Sequence, residues 1–381
     1  MDTERPLNRR LRATALIAVA VIAIAVASVA YLNSTQTSKT HDAPGSSDPR
    51  LVTRQYVIYS FTSAGQAWAL EFSSGTITTG GQITIFRTAD RGKHWEKKLQ
   101  FGANEFGGYW ASPIQVLDST HCFVWVRGST DKLFRTGDGG EHWDSVTLPN
   151  PRVVDMAFSD PNYGWLVALT STGSDLYATR DAGASWQRLP APPPDWFHLT
   201  MRSPTEAWVS GYSFDKPHVF ASRDTGQSWQ RHDLPAPPGG SWGSGSRFPP
   251  SVQLLPRAGV VASVPSDVGP PTYLATSFDG GVTWRYVPPP PATVAYQDAN
   301  HWWAIKGSLL YKSSDAGQTW TQVTSALPDW VFRPELHILD SKHAWVTVSV
   351  PTSLSSPGGN GLAFTDDGGL HWTRATVPHG G

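Results

Sequence analysis

The chain has 381 residues, of which 39% are apolar and only 16% are charged, and its formal net charge is −1. A chain so close to neutral lacks the basic surplus that nucleic-acid-binding domains usually carry, so its composition argues against a nucleic-acid partner. Its 35 glycines, 31 prolines and 18 tryptophans are typical of an all-β protein built from short strands and turns.

The first fifty residues predict a membrane anchor followed by a tether. Residues 13–32 form an uncharged, largely apolar run of 20 residues, long enough to cross a bilayer as one helix. Four arginines lie in the basic segment 1–12, so the positive-inside rule places that segment in the cytoplasm and the rest of the chain outside. Secretion after signal cleavage is the alternative, because Ser28-Val29-Ala30 is a plausible cleavage site. Residues 33–50 are polar and predict a flexible linker before a repeat domain over 51–381.

The repeat domain is organised around one eight-residue pattern, which occurs seven times at spacings of 36 to 55 residues. The pattern runs hydroxyl, any residue, aspartate, any residue, glycine, two further residues, tryptophan. The hydroxyl residues are Thr88, Thr136, Thr179, Ser222, Ser277, Ser313 and Thr365, and the aspartates are Asp90, Asp138, Asp181, Asp224, Asp279, Asp315 and Asp367. The glycines are Gly92, Gly140, Gly183, Gly226, Gly281, Gly317 and Gly369. The tryptophans are Trp95, Trp143, Trp186, Trp229, Trp284, Trp320 and Trp372.

An Asp-x-Gly turn between an apolar run and an aromatic run predicts a β-hairpin. The aspartate accepts hydrogen bonds from turn N–H groups and from the nearby hydroxyl, and the glycine supplies a positive φ at no steric cost. Seven identical active sites in one chain make little chemical sense. We therefore interpret the repeated aspartates as structural.

A second, looser motif places a tryptophan in an apolar strand upstream of the repeated turn. It occurs in every unit except the fifth, which has Val260-Val261-Ala262 instead; its tryptophans are Trp68, Trp125, Trp165, Trp208, Trp303 and Trp345. Each unit then supplies four strands, A to D, with the repeated turn between C and D. Four short strands per period of this length match a propeller blade. The sequence predicts a seven-bladed β-propeller of four-stranded blades, preceded by one transmembrane helix.

The repeated pattern resembles the Asp box, also called the BNR repeat. It is found in sialidases, in sortilin-type receptors, in some plant-cell-wall glycosidases and in photosystem II stability/assembly factor propellers. The resemblance covers about residues 55–377 and implies that each box lies between the third and fourth strands of a blade. It is specific for fold and much less so for function. The best overall match, to the photosystem II assembly factor-like propellers, implies a propeller that binds or assists other proteins.

Strand alternation sorts the connections onto two faces. The A–B and C–D turns share one face, and the B–C and D–A connections, which include the long insertions, share the other. Loops on a rigid scaffold commonly carry function. Aromatic residues in or beside the D–A connections predict a binding face there: Trp110, Trp242, Tyr109, Phe106, Phe248, Trp196 and Trp330. Trp196 and Trp330 each follow Pro-Asp, so both are also interpretable as repeated structural starts of strand A.

Catalysis by analogy with sialidases requires three arginines, a Tyr/Glu pair and an acidic aspartate. The Arg-Ile-Pro signature of those enzymes is absent, and a cluster drawn from loop arginines stays open; the candidates are Arg127, Arg202, Arg247, Arg257 and Arg333. A glycosidase needs two carboxylates across the scissile bond. Loop aspartates exist, but no pair emerges from their spacing: Asp195, Asp215, Asp267 and Asp329.

We therefore favour a non-catalytic protein-binding or assembly scaffold. A sialidase-like glycoside hydrolase or a carbohydrate-binding propeller is the alternative, so the expected partner is a protein or a glycan. No cofactor or metal site is predicted, because the histidines are scattered; His94, His142 and His371 precede box tryptophans and are interpreted as hairpin surface residues. The single cysteine, Cys122, lies in an apolar strand and is predicted to be a core residue rather than a nucleophile.

Overall fold

The computed structural model describes residues 55–73, 82–102, 114–126, 131–150, 152–194, 196–211, 216–236, 238, 249–264, 273–288, 293–324, 327, 334–349 and 360–378. Residues 52–169 and 174–381 form one compact unit, which is the subject below. A second unit comprises residues 1–51 and 170–173, of which only 170–173 are described. Within the described ranges, no helix is long and apolar enough to cross a membrane, and residues 13–32 lie outside them.

The compact unit is a seven-bladed propeller, as the sequence predicts, and each blade is a four-stranded antiparallel sheet of consecutive strands. Blade 1 consists of β1 Gln55–Phe61, β2 Ala67–Ser73, β3 Gln82–Thr88 and β4 Glu96–Gly102. Blade 2 consists of β5 Gln115–Val116, β6 Cys122–Val126, β7 Lys132–Thr136 and β8 Asp144–Thr147. Blade 3 consists of β9 Val153–Phe158, β10 Gly164–Leu169, β11 Ser174–Thr179 and β12 Gln187–Leu189.

Blades 4 to 7 repeat the same order. Blade 4 consists of β13 Trp196–Met201, β14 Ala207–Gly211, β15 His218–Ser222 and β16 Gln230–Asp233, and blade 5 of β17 Ser251–Leu254, β18 Val260–Val264, β19 Tyr273–Ser277 and β20 Arg285–Val287. Blade 6 consists of β21 Thr293–Tyr296, β22 Trp302–Lys306, β23 Leu309–Ser313 and β24 Thr321–Val323. Blade 7 consists of β25 Glu335–Ile338, β26 Ala344–Ser349, β27 Asn360–Thr365 and β28 Thr373–Ala375.

Burial within a blade explains the residue pattern of its strands. The second strand is covered on both faces by the neighbouring blades, so β6 and β14 are buried at every residue and show no polar alternation. Cys122 begins β6 and is buried there, as predicted, and burial raises the pKa of its thiol. The fourth strand is the outer edge, and its polar sequence leaves most of its side chains exposed.

Seven apolar clusters hold the ring together, one between each pair of neighbouring blades. The buried tryptophan of a second strand meets the box tryptophan of the following blade, an edge-to-face arrangement that aromatic pairs favour. Ring centroids are 6.1–6.3 Å apart in three of these pairs: Trp68 with Trp143, Trp165 with Trp229, and Trp208 with Trp284.

The repeated turn, here called the box turn, is closed by its own side chains. In blade 3 the Thr179 hydroxyl donates to Asp181 Oδ1 at 2.8 Å and accepts from the Gly183 N–H at 2.8 Å. Asp181 also accepts from the Ser185 N–H at 2.8 Å and from its hydroxyl at 2.6 Å. The residue before the tryptophan makes the same contacts in every blade: His94, His142, Ser185, Ser228, Thr283, Thr319 and His371.

These hydrogen bonds predict a loss of stability in acid. Bonds from Ser185 and Thr179 lower the pKa of Asp181 to about 2 from an ordinary value of 3.8, and the bonds to His94 do the same for Asp90. A carboxylate with a lowered pKa stabilises the folded state fully above its unfolded pKa, and this contribution disappears as the pH falls through the folded pKa. We expect the melting temperature, followed by circular dichroism, to hold from pH 7 to 5 and to fall steeply below pH 4.

An Asp181→Asn variant supplies the control for this acid effect. It should melt lower than the parent at pH 7, where the ionised carboxylate contributes. The gap between the two melting temperatures should narrow as the pH falls towards 2, because the parent's Asp181 becomes increasingly protonated as the pH approaches its pKa of about 2. A gap that stays constant across this range would contradict the assignment.

The ring closes between blades 1 and 7 without exchange of a strand. The Trp95 indole N–H donates to the Thr376 carbonyl at 2.9 Å, and the Thr376 N–H donates to the Gly92 carbonyl at 3.0 Å. Arg91 and Asp366 form an ion pair at 3.1 Å across the same junction. Because both sheets consist of four consecutive strands, side-chain packing and contacts of this kind make the closure.

Candidate functional site

The first strand of each blade is the innermost, and together these inner strands line the centre of the ring. Those of blades 5, 6, 7 and 1 surround a cavity of about 250 Å³ whose lining side chains are all uncharged at neutral pH. Burial lowers the pKa of His337 to about 4, and burial followed by the charge of Glu71 raises the pKa of Tyr59. This part of the central channel, the space enclosed by the seven inner strands, is therefore neutral and rich in aromatic rings.

A five-residue turn follows every inner strand and puts the seven strands in register. In each turn the first N–H donates to the fifth carbonyl, as Ser159 does to Tyr163 at 2.9 Å. The positions four residues before these turns are therefore equivalent around the channel. Within the described residues they are occupied by Ile58, Asp155, His198, Ser251, Thr293 and Glu335.

Two of these equivalent residues form a carboxylate–histidine pair between blades 3 and 4. Asp155 Oδ2 lies 2.9 Å from His198 Nδ1 and accepts the Leu199 N–H at 2.7 Å, while Oδ1 accepts the Met156 N–H at 2.8 Å. With three such contacts the carboxylate is fixed, and it holds the imidazole by Nδ1. The His198 Nε2 has no hydrogen-bond partner among the described residues, and its side chain is 52% exposed, against 16% for Asp155.

The pair keeps His198 protonated to a higher pH than a free histidine. Burial would lower the pKa of His198, but the negative charge of Asp155 and the hydrogen bond to it outweigh burial and raise that pKa above its ordinary value of 6.5. A half-exposed, oriented imidazole with a raised pKa on a channel wall is a candidate for binding or proton transfer.

Irregular strand pairing places this pair on the wall. The β9–β10 register shifts between Val167 and Ala168, beside Val154, and the β13–β14 register shifts between Trp196 and Leu199. A β-bulge re-aims the side chains beside it, and bulges are common next to functional sites. Asp155 and His198 lie at these two irregularities, in neighbouring inner strands.

Among the described residues, no hydroxyl completes a serine-hydrolase triad with this pair. Ser210 contacts His198, but its Oγ accepts the backbone N–H of His198 at 3.2 Å, and the residue is fully buried. A nucleophile must instead bond to the imidazole and face the substrate. Within the described part of the chain, no group of three His, Cys, Asp or Glu side chains is placed to hold a metal ion.

The residues predicted to bind from the sequence fall largely outside the described ranges. Trp110, Trp242, Tyr109, Phe106, Phe248 and Trp330 all lie there, as do the loop aspartates Asp195, Asp215, Asp267 and Asp329. Trp196 is described: it begins β13, packs partly buried against the cluster between blades 3 and 4, and donates its indole N–H to Ser174 Oγ at 3.0 Å. It lies two positions before His198 in the same strand.

Two of the five arginines left open for a sialidase-like cluster are described, and both lie away from the long loops. Arg202 and Arg257 both lie in turns that follow inner strands, on the face that carries the box turns. There Arg202 donates to the carbonyls of Leu255, Arg257 and Gly259 at 2.5–2.8 Å and to Glu206 at 3.0 Å. It ties blade 4 to blade 5 and lies on the opposite face from the long loops. The other three candidates lie outside the described residues.

Sequence reasoning missed Asp155 and His198. Neither residue belongs to a repeated motif, and they lie 43 positions apart in the chain. The one signal in the sequence is that each residue lies four positions before the turn after the first strand of its unit. That signal is useful only once the strand register is known.

A second cleft, of about 400 Å³, lies on the box-turn face between blades 2 and 3. Its polar groups are occupied within their own turns or by the neighbouring blade. His142 bonds to Asp138 at 2.7 Å, and Arg135 donates to the carbonyls of Asp181 and Ala182. We interpret this cleft as a structural junction between blades.

Comparison with known proteins supports the fold. The family model described as "Sortilin, neurotensin receptor 3" matches residues 83–192, which cover parts of blades 1 to 3. YCF48 from Cyanidioschyzon merolae is 15% identical and aligns with 83% of this chain and 97% of its own, with a TM-score of 0.51. No curated protein matches the sequence.

Two further solved structures are similar. A structure of YCF48 bound to D1 peptide is 17% identical over 86% of this chain and 95% of its own, with a TM-score of 0.48. A prolyl endopeptidase is 10% identical over 87% of this chain but only 51% of its own length, with a TM-score of 0.56. At these identities the likeness is one of fold. The resemblance to repeat propellers predicted from the sequence is thus confirmed.

Proposed function

We propose that this chain is a non-catalytic propeller that binds a protein partner through the face opposite its box turns. We call this the loop face: it comprises the strand ends joined by the B–C and D–A connections. We further propose that residues 13–32 anchor the propeller outside the cytoplasm, an inference from the uncharged run and the arginines before it.

The observation that carries the binding proposal is the contrast in connection length between the two faces. All seven A–B turns have five residues, and all seven C–D turns have seven. On the loop face, B–C connections have two to ten residues and D–A connections have five to 17. The connections on the box-turn face thus have the same lengths in every blade, whereas those on the loop face differ in length from blade to blade. This contrast is expected where a repeated scaffold presents distinct contacts on one face.

The chemistry of the two faces points the same way. On the box-turn face, the repeated carboxylates and hydroxyls are bonded within their own turns, as in Thr179, Asp181 and Ser185. On the inner wall, Asp155 and His198 lie in the first half of strands that begin at the loop face, and the imidazole keeps one nitrogen for a further contact. The predicted aromatic residues Trp110 and Trp242 belong to the two longest D–A connections.

A capture experiment tests both parts of the proposal. Residues 50–381 are used as bait on solubilised native membranes, beside a Trp110→Ala, Trp242→Ala double variant. We expect a specific protein to be retained by the parent and lost, by tenfold or more, in the variant, because buried aromatic contacts dominate interface energies. The full chain should sediment with carbonate-washed membranes, whereas residues 50–381 should remain in the supernatant.

A Trp95→Ala variant is the matched control, because it removes a partly buried tryptophan from the box-turn face. It should lose stability but retain the partner. Equal capture by the parent and the double variant would overturn the assignment of the loop face. Turnover of a fluorogenic glycoside, with no protein captured, would replace the scaffold with a hydrolase.

A further inference from the structure

The Asp155–His198 pair offers a hydrogen-bond donor to whatever enters the channel from the loop face. Because Asp155 holds the imidazole by Nδ1, the position of Nε2 is set before any ligand arrives, and little conformational entropy is lost on binding. The structural role of Asp155, accepting the Leu199 N–H at 2.7 Å, does not need the imidazole. A half-exposed imidazole held in this way is therefore available for a second role.

The described strands next to His198 carry few charged groups. On β9 the only charged residue is Asp155, and β13 and β14 contribute none in their described parts. The neighbouring inner strand, β17, presents the exposed Ser251 at the equivalent position. Among the described residues at the equivalent positions, Glu335 is the other charged one, and it belongs to blade 7, three blades away. In blades 4 and 5, these positions thus offer an imidazole and a hydroxyl as donors.

We propose that His198, oriented by Asp155 and assisted by Ser251, binds a carboxylate of the protein partner, so that acidic peptide segments are the ligands of this channel mouth. This inference rests on the proposed function, because it names the partner chemistry at the same face. Protonated imidazole makes a charge-assisted hydrogen bond to a carboxylate, and such bonds are about twice as strong as neutral ones. Elsewhere in the channel, the cavity among the inner strands of blades 5, 6, 7 and 1 has an uncharged lining that includes aromatic groups such as Tyr296.

Protonation of His198 then regulates the contact. Its charge falls as the pH rises through its raised pKa, and the donor on Nε2 is lost with it. Binding should therefore be about three- to tenfold tighter at pH 6 than at pH 8, which corresponds to one charge-assisted bond.

The test has one part that needs no partner. Residues 50–381 with ¹⁵N-labelled histidine are titrated by NMR with a short peptide carrying one glutamate, and with the same peptide carrying glutamine. We expect the His198 signal, assigned by its loss in His198→Gln, to shift saturably with the glutamate peptide only. His142 is the internal control, since it is also held by an aspartate through Nδ1 but lies on the box-turn face. Equal shifts at His198 and His142 would overturn the proposal.

The second part uses the captured partner. His198→Gln should weaken capture at pH 6 about tenfold and abolish its pH dependence, while His142→Gln leaves both unchanged. Peptides with a free or an amidated C-terminus tell a terminal carboxylate from an acidic side chain. Capture that is independent of pH and unaffected by His198→Gln would overturn this inference and leave the scaffold intact, whereas failure to capture any protein counts against the scaffold alone.

Discussion

Replacing Gly183 with valine should destabilise the propeller by about 3 kcal/mol or more. Gly183 has a φ of +85°, a region that costs a side chain of L configuration about 1–2 kcal/mol. A Cβ built there would lie 2.6 Å from Leu133 Cδ2 of the preceding blade, which is buried, and overpacking of this kind costs about 1–3 kcal/mol. The melting temperature should fall by about 6 °C or more.

The matched control for this change is Gly102→Val at the end of β4. Gly102 has an ordinary φ, and a Cβ added there meets no described atom within 4 Å. This variant should melt within about 2 °C of the parent, since substitutions of this kind usually change stability by about 0.5 kcal/mol or less. If both valine variants melted alike, the box turn would not need its glycine.

Removal of the Arg202 side chain should have a comparable effect by a different mechanism. In an Arg202→Met variant the carbonyls of Leu255, Arg257 and Gly259 and the carboxylate of Glu206 lose their shared donor. Hydrogen bonds to a charged group contribute about 1.5–3 kcal/mol each, but exposed partners regain water. We therefore expect a loss of about 3 kcal/mol in urea unfolding. Arg202→Lys should recover only part of it, because an ammonium does not reproduce the planar fork of guanidinium.

Arg231→Met provides the comparison for the loss of charge. Arg231 pairs with Asp233 at 2.7 Å on an exposed outer strand, where an ion pair contributes little. Its removal should leave the unfolding midpoint nearly unchanged. Loss of partner capture by Arg202→Met without loss of stability would contradict the structural role and return Arg202 to the candidates for a binding site.

The fold was predictable because its determinants are local and repeated. Thr179, Asp181 and Gly183 lie within five positions and make the same contacts in every blade, so their spacing alone reports the turn. One regularity within the pattern was overlooked. The residue before the tryptophan always bonds to the aspartate, although it is a histidine in some blades and a serine or threonine in others. What these residues share is a side chain that can form this hydrogen bond.

The candidate site was less predictable because it is assembled from distant residues that follow no pattern. Asp155 and His198 come together through the packing of two inner strands and through two irregularities in strand pairing. The environment of Arg202 is unpredictable for a related reason. The sequence leaves a charged residue in a turn open as a site candidate, and only the packing of the next blade shows that it has three carbonyl acceptors.

Because no strand is exchanged between blades 1 and 7, the ring can be assembled with the chain starting at any of its blades. Both sheets keep their own four strands, so the chain order 1 to 7 is one of seven cyclic permutations that bury the same interfaces. Strand alternation directs the start of β1 and the end of β28 towards the loop face, where five residues already join one blade to the next elsewhere in the ring. A permuted chain that begins at β5 and ends at β4, with blades 7 and 1 joined by such a linker, retains every blade intact. The point at which the chain enters the ring can therefore be moved to another blade with all seven blade interfaces kept, and only the D–A connection opened by the permutation is lost from the loop face.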